Sequence, residues 1–220
     1  MKLPIVDPLK YSSAVFPTMA YIAYHAAQRP ADTALIIDGS KISYQRFYQD
    51  IGKVLTVLRR LELGPQHVVG VEAPSSYVHL LVVLALEAVA VPTVSYHVDE
   101  IKWIKGDLAA LDLIICRLGH EPPMSKQTLI IDDAWYASVM AESPEGYCEE
   151  VLIGAETPVR ITKSSGTTGQ VKWLMHTGRF YRSMLESYNL RACLNRRSRC
   201  LLTMGLHIQS FFWFSVACLR

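Results

Sequence analysis

The sequence predicts an α/β fold built on a mostly parallel, helix-flanked sheet. Short runs rich in β-branched residues alternate with longer segments whose apolar residues recur every three or four positions, as β-α-β units require. Proline and glycine punctuate the boundaries at Pro30, Gly64-Pro65 and Pro74. Hydrophobic residues make up 50% of the chain against 19% charged, enough for a packed core and too apolar for disorder.

The elements follow in order. Phe16–Gln28 reads as a helix with Met19, Ile22, Ala23, Ala26 and Ala27 on one side, closed by Pro30. Thr33–Ile37 is a short strand, Asp38-Gly39 a tight turn, and Lys41–Ser43 the return. Ser43 then caps the clearest helix, whose stripe is Tyr44, Phe47, Ile51, Val54, Leu55, Leu58 and Leu61, stopped by Gly64-Pro65. Val68–Glu72 is a buried strand, Tyr77–Ala90 a helix, and Val91–Ser95 a strand. Asp99 is placed to cap a helix running through Ala110. Strands at Leu113–Cys116 and Leu129–Ile131 and a short helix from Asp133 continue the alternation, and Glu142–Glu150 is a polar surface loop. Pro158–Thr162 and Trp173–Met175 are strands, Gly178–Arg191 a helix, Cys200–Met204 a strand and Gln209–Leu219 a helix.

Bulk properties narrow the function. A length of 220 residues lies between one and two average domains. A net charge of +2 gives no electrostatic case for nucleic acid. The basic cluster Arg191, Arg196, Arg197 and Arg199 reads as a solvated helix end and loop. Five scattered cysteines without C-x-x-C spacing, and no H-E-x-x-H, argue against a metal site and a disulfide framework. No secretory signal is visible at Met1–Pro8, so the default setting is cytoplasmic. Tyr77–Val98 and Leu201–Leu219 approach membrane-span length, but polar residues interrupt both, and they read as buried core segments.

One stretch carries chemistry: Ser164-Ser165-Gly166-Thr167-Thr168-Gly169-Gln170-Val171-Lys172. Glycines let the backbone turn its N–H groups inward around an anion, the hydroxyls add short donors, and lysine adds a mobile positive charge. Between two strands, this reads as a phosphate clamp. A Gly/Thr-rich hairpin without a ligand is the bland alternative. The NTPase loop G-x-x-x-x-G-K-[ST] fails on spacing, since Gly166 and Gly169 are too close and Lys172 follows no glycine directly.

The full string resembles the phosphate-binding signature of the AMP-forming adenylating ligases: acyl-CoA synthetases, luciferases and peptide-synthetase adenylation domains. Val171 stands where proline is usual and Trp173 where a small residue is usual. Leu63–Gly70 and Ala88–Thr93 also fit the family's order of elements, and the resemblance covers roughly residues 17 to 215. It implies that a carboxylic acid attacks the α-phosphate of ATP, giving an acyl-adenylate that passes to a thiol, usually of coenzyme A, with Mg2+ bridging the phosphates. Ser164, Ser165, Gly166, Thr167, Thr168, Gly169 and Lys172 would bind the β- and γ-phosphates. The family carries a histidine at the head of a helix lining the acyl pocket, and His207 occupies that place before Phe211–Phe214. His176 reads as structural, and a lone histidine is more often a satisfied core residue. The resemblance further implies that 1–220 is the N-terminal portion of the AMP-binding large domain, truncated at its C-terminal end, without the small C-terminal domain. The missing C-terminal half is then an expected partner. The alternative is a non-catalytic remnant or interaction module that keeps the fold with weak phosphate binding.

Overall fold

The structure, a computed structural model, describes residues 15–122, 126–146, 152–164 and 172–220. Helix α1 (Thr18–Gln28) leads into a small antiparallel hairpin of β1 (Thr33–Ile37) and β2 (Ser40–Ser43). Its turn places both Asp38 and Gly39 at positive φ, 49° and 78°, the geometry that matches the twist of the flanking strands. Ser43 caps helix α2 (Tyr44–Arg59), its hydroxyl accepting from the Arg46 amide at 3.2 Å. The helix stops before Gly64-Pro65, because the chain turns at Arg60 and reaches positive φ at Glu62.

The main sheet has the order β6-β5-β3-β4-β7-β8. Strands β3 (Val69–Val71), β4 (Thr93–Ser95), β5 (Leu113–Cys116), β6 (Thr128–Ile130) and β7 (Pro158–Ser164) run parallel, and β8 (Lys172–Thr177) returns antiparallel to β7. The expected α/β fold with a mostly parallel sheet is therefore present. Helices α3 (Ser76–Glu87), α4 (Ile101–Leu108), α5 (Asp133–Met140), α6 (Gly178–Arg191) and α7 (Gln209–Leu219) complete it. Ser75 and Asp132 cap α3 and α5 through the amides of Val78 and Trp135.

Alternation along β5 shows how the sheet divides the interior. Leu113 and Ile115 join the large core with Phe47, Leu55, Leu81, Leu84 and Trp213. Ile114 and Cys116 point the other way, to Tyr96, Ile104 and Leu108 beneath α4. A strand buried on both faces is continuously apolar, which is why these strands read as short unbroken runs.

Two expectations need correction. Cys200–Met204 is not a strand: it is irregular and exposed, with Leu201 at 83%. Among the described residues no strand lies beside it to complete a ladder, and an apolar run alone does not make one. The cap before α4 is His97, not Asp99. The His97 ring accepts from the Asp99 amide, while the Glu100 carboxylate accepts from the His97 amide at 2.8 Å, closing a capping box around the 3-10 turn Val98–Glu100. The described part of the polar 142–150 loop lies at the surface, as expected, and is docked on α2. The Glu145 amide donates to the Gly52 carbonyl at 3.1 Å, and Glu145 and Glu142 pair with Arg59 and Arg60.

Candidate functional site

The parallel strands β3 to β7 all end on one edge of the sheet, the side where open α/β sheets receive ligands. β4 ends at Ser95 and runs on to His97, β7 ends at Ser164, and antiparallel β8 starts on the same edge at Lys172. Ser164 and Lys172 are paired in register, and the Ser164 hydroxyl donates to the Lys172 carbonyl at 3.4 Å. The stretch between them is thus closed at its base by the last rung of the ladder. Lys172 is exposed. Ser165, Gly166, Thr167, Thr168 and Gly169 lie outside the described residues.

His207 enters the same edge from the other direction, just before α7. Its half-buried ring faces His97, with centroids 5.2 Å apart and planes 37° apart. Burial lowers its pKa, Glu100 opposes this, and His97 and Lys163 add to the lowering. Lys163 and Glu100 form an ion pair that joins the end of β7 to the capped turn after β4. The site therefore assembles His207, the Ser164–Lys172 hairpin mouth, and a His97–Glu100–Lys163 group that sequence reasoning missed. The H-x-x-E spacing of His97 and Glu100 was the available signal, since it is a capping-box pattern with histidine in place of serine or threonine.

His176 keeps its structural role. It is buried, within 2.7 Å of the Thr162 hydroxyl, stacked on Phe180 at 4.6 Å and edge-on to Trp213. Phe212 and Trp213 belong to the core, at 1% and 0% exposure. Beneath the site lies a further residue that the sequence did not single out, Arg160 on β7. It is fully enclosed, and burial brings its pKa down to about 10 against the opposing fields of Tyr181 and Glu87. Nothing on a lone strand arginine signals enclosure, because its partners are distant in the chain.

Among the described residues no group of three histidine, cysteine or acidic side chains is arranged to hold a metal, and no helix is long and apolar enough to cross a membrane. The donor set at the hairpin mouth, an exposed ammonium beside a hydroxyl, suits a phosphate.

The AMP-binding enzyme family model matches residues 22–220, and the chain belongs to that family. Among curated proteins it is similar to the probable nonribosomal peptide synthetase CymA of Salinispora arenicola, at 25% identity over 197 residues, which is 87% of this chain and 2% of that protein. Among solved structures it resembles the N-terminal domain of FACL13 from Mycobacterium tuberculosis, with a TM-score of 0.78 and 15% identity over 93% of this chain and 55% of that one. The long-chain-fatty-acid-CoA ligase FadD1 from Archaeoglobus fulgidus gives 0.77 and 17%, covering 92% and 45%. O-succinylbenzoate coenzyme A synthetase from Bacillus subtilis, in complex with ATP and magnesium ion, gives 0.73 and 13%, covering 90% and 54%. At these identities the likeness to the solved structures is one of fold, that of the N-terminal part of adenylate-forming enzymes. The chain spans about half the length of those structures.

Proposed function

We propose that the chain is the N-terminal portion of the large AMP-binding domain of an ATP-dependent, AMP-forming acid ligase. Residues 1–220 would supply the phosphate-binding hairpin and part of the acyl pocket, and the rest of the enzyme would lie in a C-terminal half. The observation that carries this reading is the position of the Ser164–Lys172 hairpin mouth, at the carboxyl edge of a parallel sheet and on the same edge as His207.

The chemistry follows from charge. A carboxylate oxygen attacks the α-phosphorus of ATP, the bond to the bridging oxygen breaks, and pyrophosphate leaves carrying that electron pair. Two anions must be brought together, so the protein has to neutralise the phosphates and align the attacking oxygen. Ser164, Ser165, Thr167 and Thr168 would donate to the β- and γ-phosphates, with Gly166 and Gly169 admitting the phosphates to backbone N–H groups. Lys172 would offset their charge. Magnesium, held by the phosphates, would supply further charge neutralisation. His207, neutral through burial, would face the carboxylate or the bond being formed. A coenzyme A thiol is the proposed acceptor of the acyl group. No feature points to nucleic acid, and the cytoplasm is the proposed location.

The test is acid-dependent exchange of labelled pyrophosphate into ATP by the full-length gene product, across aliphatic, aromatic and amino acids. Exchange with one acid class that is lost in Lys172→Ala supports the reading. Retained pyrophosphate binding without exchange for any acid would instead identify a non-catalytic remnant.

A further inference from the structure

Arg160 is a buried cation with no ion-pair partner among the described residues; the field of buried Glu87 reaches it without contact. It is 2% exposed. Among the described residues its Nε has no hydrogen-bond partner. Desolvating a guanidinium on such terms is strongly unfavourable, and a methionine of similar length would fill the space without that penalty. The arrangement therefore makes sense only if the fork of donors does something an apolar side chain cannot.

The fork ties two segments together. Nη1 donates to the Thr93 hydroxyl at 2.8 Å, and Nη2 donates to the Ser95 hydroxyl at 2.6 Å and to the Leu206 carbonyl at 3.3 Å. The flat face of the guanidinium lies 3.9 Å from the centre of the Phe212 ring, on the first turns of α7. The Ser95 hydroxyl, which accepts from Arg160, is also hydrogen-bonded to His79 Nε2 at 2.6 Å. Thr93 and Ser95 are the ends of β4, which runs on to His97, and Leu206 is the residue before His207.

The Leu206 side chain is packed into the large core, and Arg160 ties its carbonyl to the sheet. The run from Cys200 to Met204 is irregular and exposed, and the approach to α7 is a turn closed by Ile208 donating to the Gly205 carbonyl at 3.1 Å. Neither contact sets the distance from His207 to β4. The Arg160 donors do, since the same Nη2 atom holds Ser95 and Leu206.

We propose that Arg160 is a positioning residue that sets His207 against His97 at the edge of the hairpin mouth, by clamping the end of β4 to the Leu206 carbonyl. The placement stands on geometry alone. Its consequence for turnover rests on the function proposed above.

The test uses the 220-residue chain with labelled histidine, valine and isoleucine and reads the nuclear Overhauser contact between the His97 and His207 rings. Contacts between the paired residues Val94 and Ile161 report whether the sheet is intact. The unmodified chain should show both. Arg160→Met should keep the sheet contact and lose the ring contact. Arg160→Lys, which keeps charge without the fork, should weaken the ring contact at least about twofold, and it decides the matter if Arg160→Met fails to fold. A full ring contact in either folded variant would overturn the proposal.

In the full-length gene product, Arg160→Lys should lower kcat for pyrophosphate exchange by about two- to fivefold, no more than loss of His207 itself, and leave KM for ATP unchanged. The reverse pattern, a raised KM with kcat unchanged, would contradict a role through His207. If the unmodified protein shows no exchange at all, the function proposed above fails, and the ring contact still decides the placement.

Discussion

The imidazole rings of His97 and His207 face each other at 5.2 Å, although one follows β4 and the other precedes α7. The pairing brings the residue expected from family resemblance next to one that was not expected. If His207 donates a hydrogen bond to the reacting acid, its loss removes about 1 kcal/mol of neutral hydrogen bonding. His207→Ala should then lower kcat/KM for acid-dependent pyrophosphate exchange about fivefold in the full-length gene product. Unchanged kinetics would take His207 out of the site.

Acid should destabilise the fold. Burial, reinforced by Arg160 and His207, brings the His79 pKa down to about 3. Between its ordinary value of 6.5 and that figure, the unfolded chain holds a proton that the folded chain does not. Stability is therefore lost as pH falls through this window, by about 3 kcal/mol from pH 6.5 to pH 4 at about 1.36 kcal/mol per unit. His176 and His207 are shifted in the same direction, also chiefly by burial. Glu87, whose pKa burial raises, works the other way by taking up its proton early in the folded state. Urea midpoints at pH 7 and pH 4 measure the sum, and His79→Gln should flatten the difference. A pH dependence identical in His79→Gln and the unmodified chain would contradict the assignment.

Gly52 is where the 142–146 segment meets α2. A Cβ there would lie 2.4 Å from the Glu145 carbonyl oxygen and 3.2 Å from Pro144 Cβ, so backbone has to move. Gly52→Ala should cost about 1–3 kcal/mol, as overpacking does. A denaturation midpoint equal to that of the unmodified chain would show that the segment gives way freely.

Local pattern made most of the fold legible. Phe47, Ile51, Val54, Leu55 and Leu58 recur with the helical period and all are buried. Asp38-Gly39 adopts the backbone its turn demands, and Gly178–Arg191 and Gln209–Leu219 begin and end as read. The failures share a cause. Cys200–Met204 is a short apolar run, but a strand also needs a neighbour, and that is a long-range fact. Asp99 was read as a cap by residue type, yet the capping geometry belongs to His97 because Glu100 reaches back to its amide. Arg160 is defined by Thr93, Ser95 and Leu206, none of them near it in sequence. Lys172 and Ser164 were legible as chemistry, and their register across the β7–β8 ladder became visible only in three dimensions.

The account stands on Lys172 at the mouth of the hairpin, and calorimetric titration of the chain with pyrophosphate tests it most directly. A charge-assisted hydrogen bond is worth about 1.5–3 kcal/mol and a neutral one about 1 kcal/mol. Lys172→Ala should therefore weaken pyrophosphate binding by about ten- to a hundredfold, and Thr168→Ala by less. The gap between Lys172→Ala and the unmodified chain should narrow as salt is raised, because the lost term is a solvent-exposed charge. Equal affinity for pyrophosphate in Lys172→Ala and the unmodified chain would contradict the account, leaving a glycine-rich hairpin with no ligand.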